Sequence, residues 1–376
     1  MTPAPSEVRR LLEQIRTTPT IPGLQRLFKA LPGLVQKLLL LHYPVREIVC
    51  WLNLVHDALI IRTLHLTERS LVYERQNLPP FQYCWLLLGS GGRQEQNLRT
   101  DQDNGLVFRV DDSRHMEEVR HFLHTISEQT VTALARVGYP LCSGNVMATN
   151  PRWCKSLDEW QETWRQQMDD PQVENLRYFL ISADFRGISG DGRLADEMRH
   201  WLLQNVRQRM GFIVRLAQHS LVQPIPLNAL GQLLPHLQGE HAGMVDVKEG
   251  VHVQLVNCVR LWALGYGIPQ VNTDERLQQL AEQGVWSAEK VNQWREASSQ
   301  LMRLRLQLYL SQASQQLPFS NFVAVEQLSQ AEKQALKRCM QMVKRERKQT
   351  LRHFAHHLAN GSTPIGNPPR AGEDER

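Results

Sequence analysis

Apolar residues recur at three- and four-residue spacing over residues 7–15, 23–31, 34–41 and 45–71, which predicts four helices broken at Pro19, Pro22, Pro32 and Pro44. In the longest of these, Ile48, Leu52, Val55, Leu59 and Leu66 form one apolar stripe, with His56 and His65 on or beside it. The pattern changes at Trp85-Leu86-Leu87-Leu88, a continuous apolar run suited to a buried strand end. Gly89-Ser90-Gly91-Gly92 then predicts a sharp turn, followed by a short polar helical segment and a second strand at Gly105-Leu106-Val107-Phe108. Helical spacing returns over 111–138, with Phe122, Ile126, Val131 and Leu134 on its apolar face. Val146-Met147 reads as a strand end, and Asn150-Pro151 as a turn into a helix holding Trp160 and Trp164. Residues 178–188 read as helix. Residues 190–376 read as helical, broken at 223–224, 238–243 and 316–319.

The glycine turn and the segment behind it carry the candidate chemistry. Backbone N–H groups of such a turn can cradle a phosphate, and Arg93 adds a positive charge. Asp101 and Asp103 stand two apart, so in an extended chain both carboxylates face one side. Like charges tolerate that best around a shared cation, which points to Mg²⁺ or Mn²⁺ on a nucleoside triphosphate.

The string GSGGRQEQ, with TDQDNGL after it, resembles the active-site signature of one branch of the polymerase-β-type nucleotidyltransferases. That branch comprises uncharacterised nucleotidyltransferases related to the N-terminal domain of protein-PII uridylyltransferase. Later strings extend the resemblance over most of the chain, among them CSGNVMATNPRW, VDVKEG and CVRLWALGYGI. The resemblance implies an α+β fold: a small mixed-sheet catalytic domain at 80–190, helices at 1–79 and an all-helical substrate-binding domain at 191–358. Residues 359–376, rich in Gly, Pro and charge, read as a disordered tail. It also implies transfer of a nucleoside monophosphate to an acceptor hydroxyl, on a protein in the PII-type case. Gly89, Ser90, Gly91 and Arg93 would then hold phosphates, Asp101 and Asp103 the metal, and Lys248, Arg260 and Arg276 would contact phosphate or acceptor. Related enzymes place a third carboxylate on a later strand, yet no Asp or Glu occurs between Glu128 and Asp158. Asp184 is the substitute candidate; the alternative is that it pairs with Arg186 or Arg177. Likewise Arg260 and Arg276 have structural alternatives, a pair with Asp246 for the first and a solvated position for the second.

Composition adds bounds. The chain has 376 residues, 42% hydrophobic and 22% charged, which suits two or three globular domains. A net charge of +5 suits nucleotides without arguing for nucleic acid. A basic helix over 337–354, with Cys339, Met342 and Leu351 apolar, reads as a solvated outer face. The apolar run at 38–41 is too short to span a bilayer, and MTPAPSEVRR lacks a signal-peptide core. Six scattered cysteines without metal spacing suit reduced thiols, hence an expected cytoplasmic location with no membrane partner. Two other readings stay open, a catalytically silent nucleotide sensor and an RNA-tailing enzyme; so does assembly into a homo-oligomer.

Overall fold

A computed structural model describes residues 3–76 and 78–360. The expected tail therefore lies outside the described residues from 361 onward. The described chain divides into two compact units, Met1–Trp164 with Leu180–His200, and Arg165–Phe179 with Trp201–Arg376.

The first unit opens with α1 (Ser6–Thr17), α2 (Ile21–Lys29), α3 (Leu31–Leu40), α4 (Val45–Ser70) and α5 (Val72–Gln76). Pro22 and Pro32 fall in the first turns of α2 and α3, where a missing N–H costs nothing, so they start helices as well as ending the segments before them. The 26-residue α4 is long and apolar enough to cross a membrane by composition, but 61% of its apolar window is buried inside the protein. Ile48, Leu52, Val55 and Leu59 are buried as the stripe requires, while Leu64 is buried in place of the half-exposed Leu66.

β1 (Phe81–Leu87) leads into α6 (Gly89–Gly92), one helical turn, and then β2 (Asn104–Val110). The glycine run itself is thus the helical turn, and residues 93–103 are irregular where a short polar helix was expected. α7 (Met116–Val137) follows, then β3 (Cys154–Ser156), α8 (Leu157–Asp169), α9 (Val173–Ala183), β4 (Arg186–Gly190) and α10 (Gly192–Arg207). The sheet runs β3-β2-β1-β4, with β1 antiparallel to β2 and β4, and β2 parallel to β3. It is mixed, as expected. Two strand placements differ. The helix read over 178–188 ends at Ala183, and Arg186 starts β4, whose Gly187 leaves room for Cys84 Sγ on β1. Val146-Met147 lies in a loop, although Val146 O still accepts from Asn104 N; the strand there is Cys154–Ser156.

Leu86, Leu87, Leu106, Val107 and Phe108 are buried in succession, so both faces of the central strands are covered. Trp153, Trp160, Trp164 and Phe185 form an aromatic row with centroids 5.6–6.2 Å apart, anchored by Trp160 Nε1 donating to Leu106 O.

The described residues of the second unit are mostly helical, with an irregular stretch at 221–243 and a two-stranded ribbon, β5 (Met244–Asp246) with β6 (Phe322–Ala324). Its helices are α11 (Met210–Ser220), α12 (Val253–Gly265), α13 (Thr273–Glu282), α14 (Ala288–Ser314) and α15 (Gln330–Ala359). α12 is buried on every side and forms the centre. Asn272 caps α13 by accepting from Asp274 N and Glu275 N. Ser329 and Glu332 form a capping box on α15. The buried face of α15 runs through Leu336, Cys339, Met340, Val343, Glu346 and Phe354; Met342 and Leu351 lie at its edge, half-exposed. Lys344, Arg345 and Lys348 are exposed, as a solvated face requires.

Candidate active site

β1 delivers the chain to Leu88, whose N–H donates to Asp103 O at 2.9 Å, so the ladder with β2 continues one pair past the strands. Gly89 then turns at φ +54, and a Cβ there would stand 3.2 Å from Asp103 Oδ2. Glycine is required both for that left-handed backbone and for the carboxylate lying against it. Gly92 is fixed by contact instead: a Cβ would meet the Asp184 carbonyl oxygen at 2.1 Å.

Across the turn, Gln102 points inward and donates to Val131 O and Tyr139 O at 3.0 and 3.1 Å. Asp101 is exposed and Asp103 half-buried. Ser90, Gly91, Asp101, Gln102 and Asp103 line one recess of about 10 Å³, together with Gln96, Asn104 and the buried Leu87, Leu134 and Tyr139. That is room for roughly one water-sized group, so the recess shows that the turn and the 101–103 segment lie side by side and is too small to be a nucleotide cavity. The thiol of Cys142 hydrogen-bonds Asp103; burial first, and that carboxylate second, push it up to about 11.

Arg93 and Asp184 behave differently from expectation. Arg93 is buried, with Nε 2.8 Å from Glu95 Oε2 and Nη1 2.8 Å from Asp184 Oδ2. Burial acts to lower its pKa, and the charges of Glu95 and Asp184 outweigh that and raise it. Asp184 is fully buried and is not among the residues lining the recess. Its carboxylate accepts from Arg93, an arginine 91 positions earlier, while Arg186 pairs with Asp57. Among the described residues, no group of three or more His, Cys, Asp or Glu is arranged to hold a metal. The donor set that does exist, two carboxylates beside a serine, offers oxygen alone, which fits a hard cation that keeps most of its water and takes phosphate oxygens.

Sequence spacing missed the supports of this turn, because they lie on α4. Asn53 Oδ1 accepts from Gln96 N at 2.9 Å and its Nδ2 donates to Gln96 O at 3.2 Å. His56 bridges the Tyr139 hydroxyl (2.9 Å) and Asn97 O (3.1 Å); burial lowers its pKa to about 4 despite the Asn97 hydrogen bond. Asp57 pairs with Arg186 at 2.8 Å, and Arg186 also donates to Gly91 O at 3.2 Å. A polar residue on the apolar stripe of α4 was the available signal.

Lys248 and Arg260 belong to the second unit. Lys248 is half-exposed, 3.6 Å from Glu249. Arg260 is buried in α12 and donates to Asn257 Oδ1 at 2.6 Å, while Asp246 Oδ1 accepts from the Lys248 and Glu249 amides. Arg276, in the first turn of α13, is buried too, with Nε donating to Gln270 O.

Residues 29–174 match the family model described as putative nucleotidyltransferase DUF294, and residues 210–354 match the one described as putative nucleotidyltransferase substrate binding domain. Together these segments span more than half of the chain. The chain belongs to this two-domain nucleotidyltransferase family. No curated protein matches it. The nucleotidyltransferase segment holds α4, the glycine turn and the aspartate pair; Lys248 and Arg260 fall in the substrate-binding segment. A role in nucleotidyl transfer and a nucleotide substrate follow from the family.

Proposed function

We propose that the chain transfers a nucleoside monophosphate from a nucleoside triphosphate to a hydroxyl on a protein acceptor, in the manner of protein-PII uridylyltransferase, within a regulatory system. The observation that carries the nucleotide part is the Asp101–Asp103 pair seated beside Ser90 and Gly91 at the end of β1. Asp101 and Asp103 would hold Mg²⁺ or Mn²⁺, which supplies charge neutralisation on the triphosphate. The turn would place the phosphate chain against the carboxylates, and Gly89, with no side chain, leaves room for the Asp103 carboxylate beside it. Arg93 acts indirectly in this reading, tying the loop after the turn to Asp184 ahead of β4. The acceptor hydroxyl would attack the α-phosphorus in line, its proton leaving as the bond to pyrophosphate breaks. The test is incubation with each α-³²P nucleotide, Mg²⁺ or Mn²⁺, and cell lysate. Labelled protein is expected; labelled RNA would favour a tailing enzyme.

One observation favours a second reading. With Asp184 held by Arg93, the pair Asp101 and Asp103 has no third carboxylate among the described residues. A sensor that binds nucleotide without turnover would look the same. Metal-dependent nucleotide binding with no label on any acceptor would establish it.

A further inference from the structure

On α15, Lys344, Arg345, Lys348 and Arg352 are exposed. At 3.6 residues per turn they fall within one arc of about 100° on the helix surface. Gln341 lies in the same arc and Gln349 beside it, both exposed. Met342 and Leu351, at the edge of the buried face, fall outside it. None of the four cations has an ion-pair or hydrogen-bond partner among the described residues. The acids that could offset them are placed elsewhere. α15 carries two: Glu332 closes the capping box in its first turn, and Glu346 is buried and holds Lys290 Nζ at 2.7 Å. No acid of the flanking stretch 221–243 or of α14 comes within ion-pair distance of the four. Arg338 lines the groove between α14 and α15 together with Glu296 and Glu332, so it is not counted with them.

We infer that this face of α15 docks on the phosphate backbone of a duplex nucleic acid, without regard to base sequence. Lys344, Lys348 and Arg352 stand at i, i+4 and i+8, about 12 Å end to end. That length passes three or four phosphates of one strand, at about 3.4 Å of axis each. Other takers of positive charge need something the face lacks. A protein interface has an apolar core from which lysine is depleted. A helix lying on a membrane turns its apolar side to the acyl chains, and that side of α15 is buried in the second unit. A single strand is held by base stacking on aromatic rings, and the arc from 341 to 352 holds none. Phosphates ask for cations and polar donors, and Gln341 and Gln349 supply donors beside the four. The inference stands apart from the transfer reading above: the duplex is bound, not labelled.

The probe is a fluorescein-labelled duplex of about 20 base pairs and mixed sequence, titrated with the full chain by fluorescence polarisation between about 50 and 200 mM salt. Binding in the non-specific range, a Kd of about 10⁻⁴ to 10⁻⁶ M, is expected, with log K falling against log salt at a slope of about −3 to −4 for four contacts. Lys348→Gln alone should flatten that slope by about 0.9. Lys344→Gln, Arg345→Gln, Lys348→Gln and Arg352→Gln together should weaken binding at least tenfold at an unchanged melting temperature, since none of the four has a partner to lose. A control with Arg9→Gln, Arg10→Gln, Arg26→Gln and Lys29→Gln, all exposed on α1 and α2, changes the net charge equally and should bind like the natural chain. No duplex binding, an unchanged slope in Lys348→Gln, or equal losses in the two fourfold variants would overturn the inference. So would tighter binding, lost in the α15 variant, to a single strand of the same length, to polyglutamate or to phosphatidylserine vesicles, which would give the face to a single strand, an acidic protein or a membrane. Nucleotide binding should be the same in the α15 variant as in the natural chain. Duplex binding by a chain that labels no acceptor would sink the proposed transfer and leave this face standing.

Discussion

At the scale of single residues, the two pairs of charged groups make opposite predictions. Asp101 and Asp103 stand two apart in the chain beside the glycine turn and carry like charge, one exposed and one half-buried. Replacing both by Asn removes a repulsion, so the melting temperature should hold or rise while Mg²⁺-dependent nucleotide affinity disappears. Unchanged binding of nucleotide to that double variant, measured calorimetrically, would remove the aspartates from the site. Asp184 is the reverse case. It is fully buried, and its loss removes one carboxylate from the buried Arg93, which also contacts Glu95. Removing one partner from a buried pair costs about 3–5 kcal/mol, so Asp184→Ala should melt well below the natural chain. Transfer and melting temperature measured on one preparation separate the roles: activity lost in proportion to unfolding marks Asp184 as a support, whereas activity lost at unchanged stability would return it to the metal site. The aspartate pair was legible because its spacing is local. The Arg93–Asp184 pair was not, because 91 positions separate its members and only the placement of β4 beside β1 joins them.

At the scale of elements, α4 decides how firmly the turn is held. Asn53, His56 and Asp57 lie on successive positions of one helix surface and fasten the loop from Gln94 to Asn97 and the start of β4. His56 adds a pH dependence. Its folded pKa of about 4 lies below the ordinary 6.5, so between those values the unfolded chain binds the extra proton. The neutral ring's full contribution is present above about pH 6.5 and is lost as pH falls toward 4, on the order of 3 kcal/mol in total. Denaturant unfolding at stepped pH should therefore show a steeper acid decline for the natural chain than for His56→Gln. Parallel curves would mean that His56 carries no part of it. The elements themselves were read unevenly, for physical reasons. β1 and β2 announce themselves by continuous apolar runs ending at glycine. β4 hid inside YFLISADFRGI, where apolar spacing continues past the true helix end at Ala183 and the break comes at Arg186-Gly187. β3 is three residues long, too short to display a period.

At the scale of the whole molecule, the order of the chain constrains what can be cut away. The first unit does not end where its sheet ends. Residues 165–179 belong to the second unit, the chain returns for 180–200, and it leaves again within α10. The first half of α10 is part of the first unit's core: Leu194 and Met198 are buried, and Ala195 packs where Gly187 leaves space. Arg199 donates to Ala183 O at 2.8 Å and Phe185 O at 2.7 Å and lies 4.0 Å over the Phe185 ring, while Glu197 pairs with Arg109 on β2. A fragment ending at Gly190 would keep β4 and lose all of this cover, exposing apolar surface beside the very strand that Asp184 precedes. It should be insoluble, or soluble without a cooperative melt and without nucleotide binding. Extending the fragment to His200 restores those contacts but still carries 165–179 stripped of its own unit, so it should recover solubility in part and remain less stable than the full chain. Expression yield, thermal melting and nucleotide titration on the two fragments and the full chain decide the matter. A fragment 1–190 that melts cooperatively and binds nucleotide as the full chain does would show that β4 needs neither α10 nor the residues beyond it.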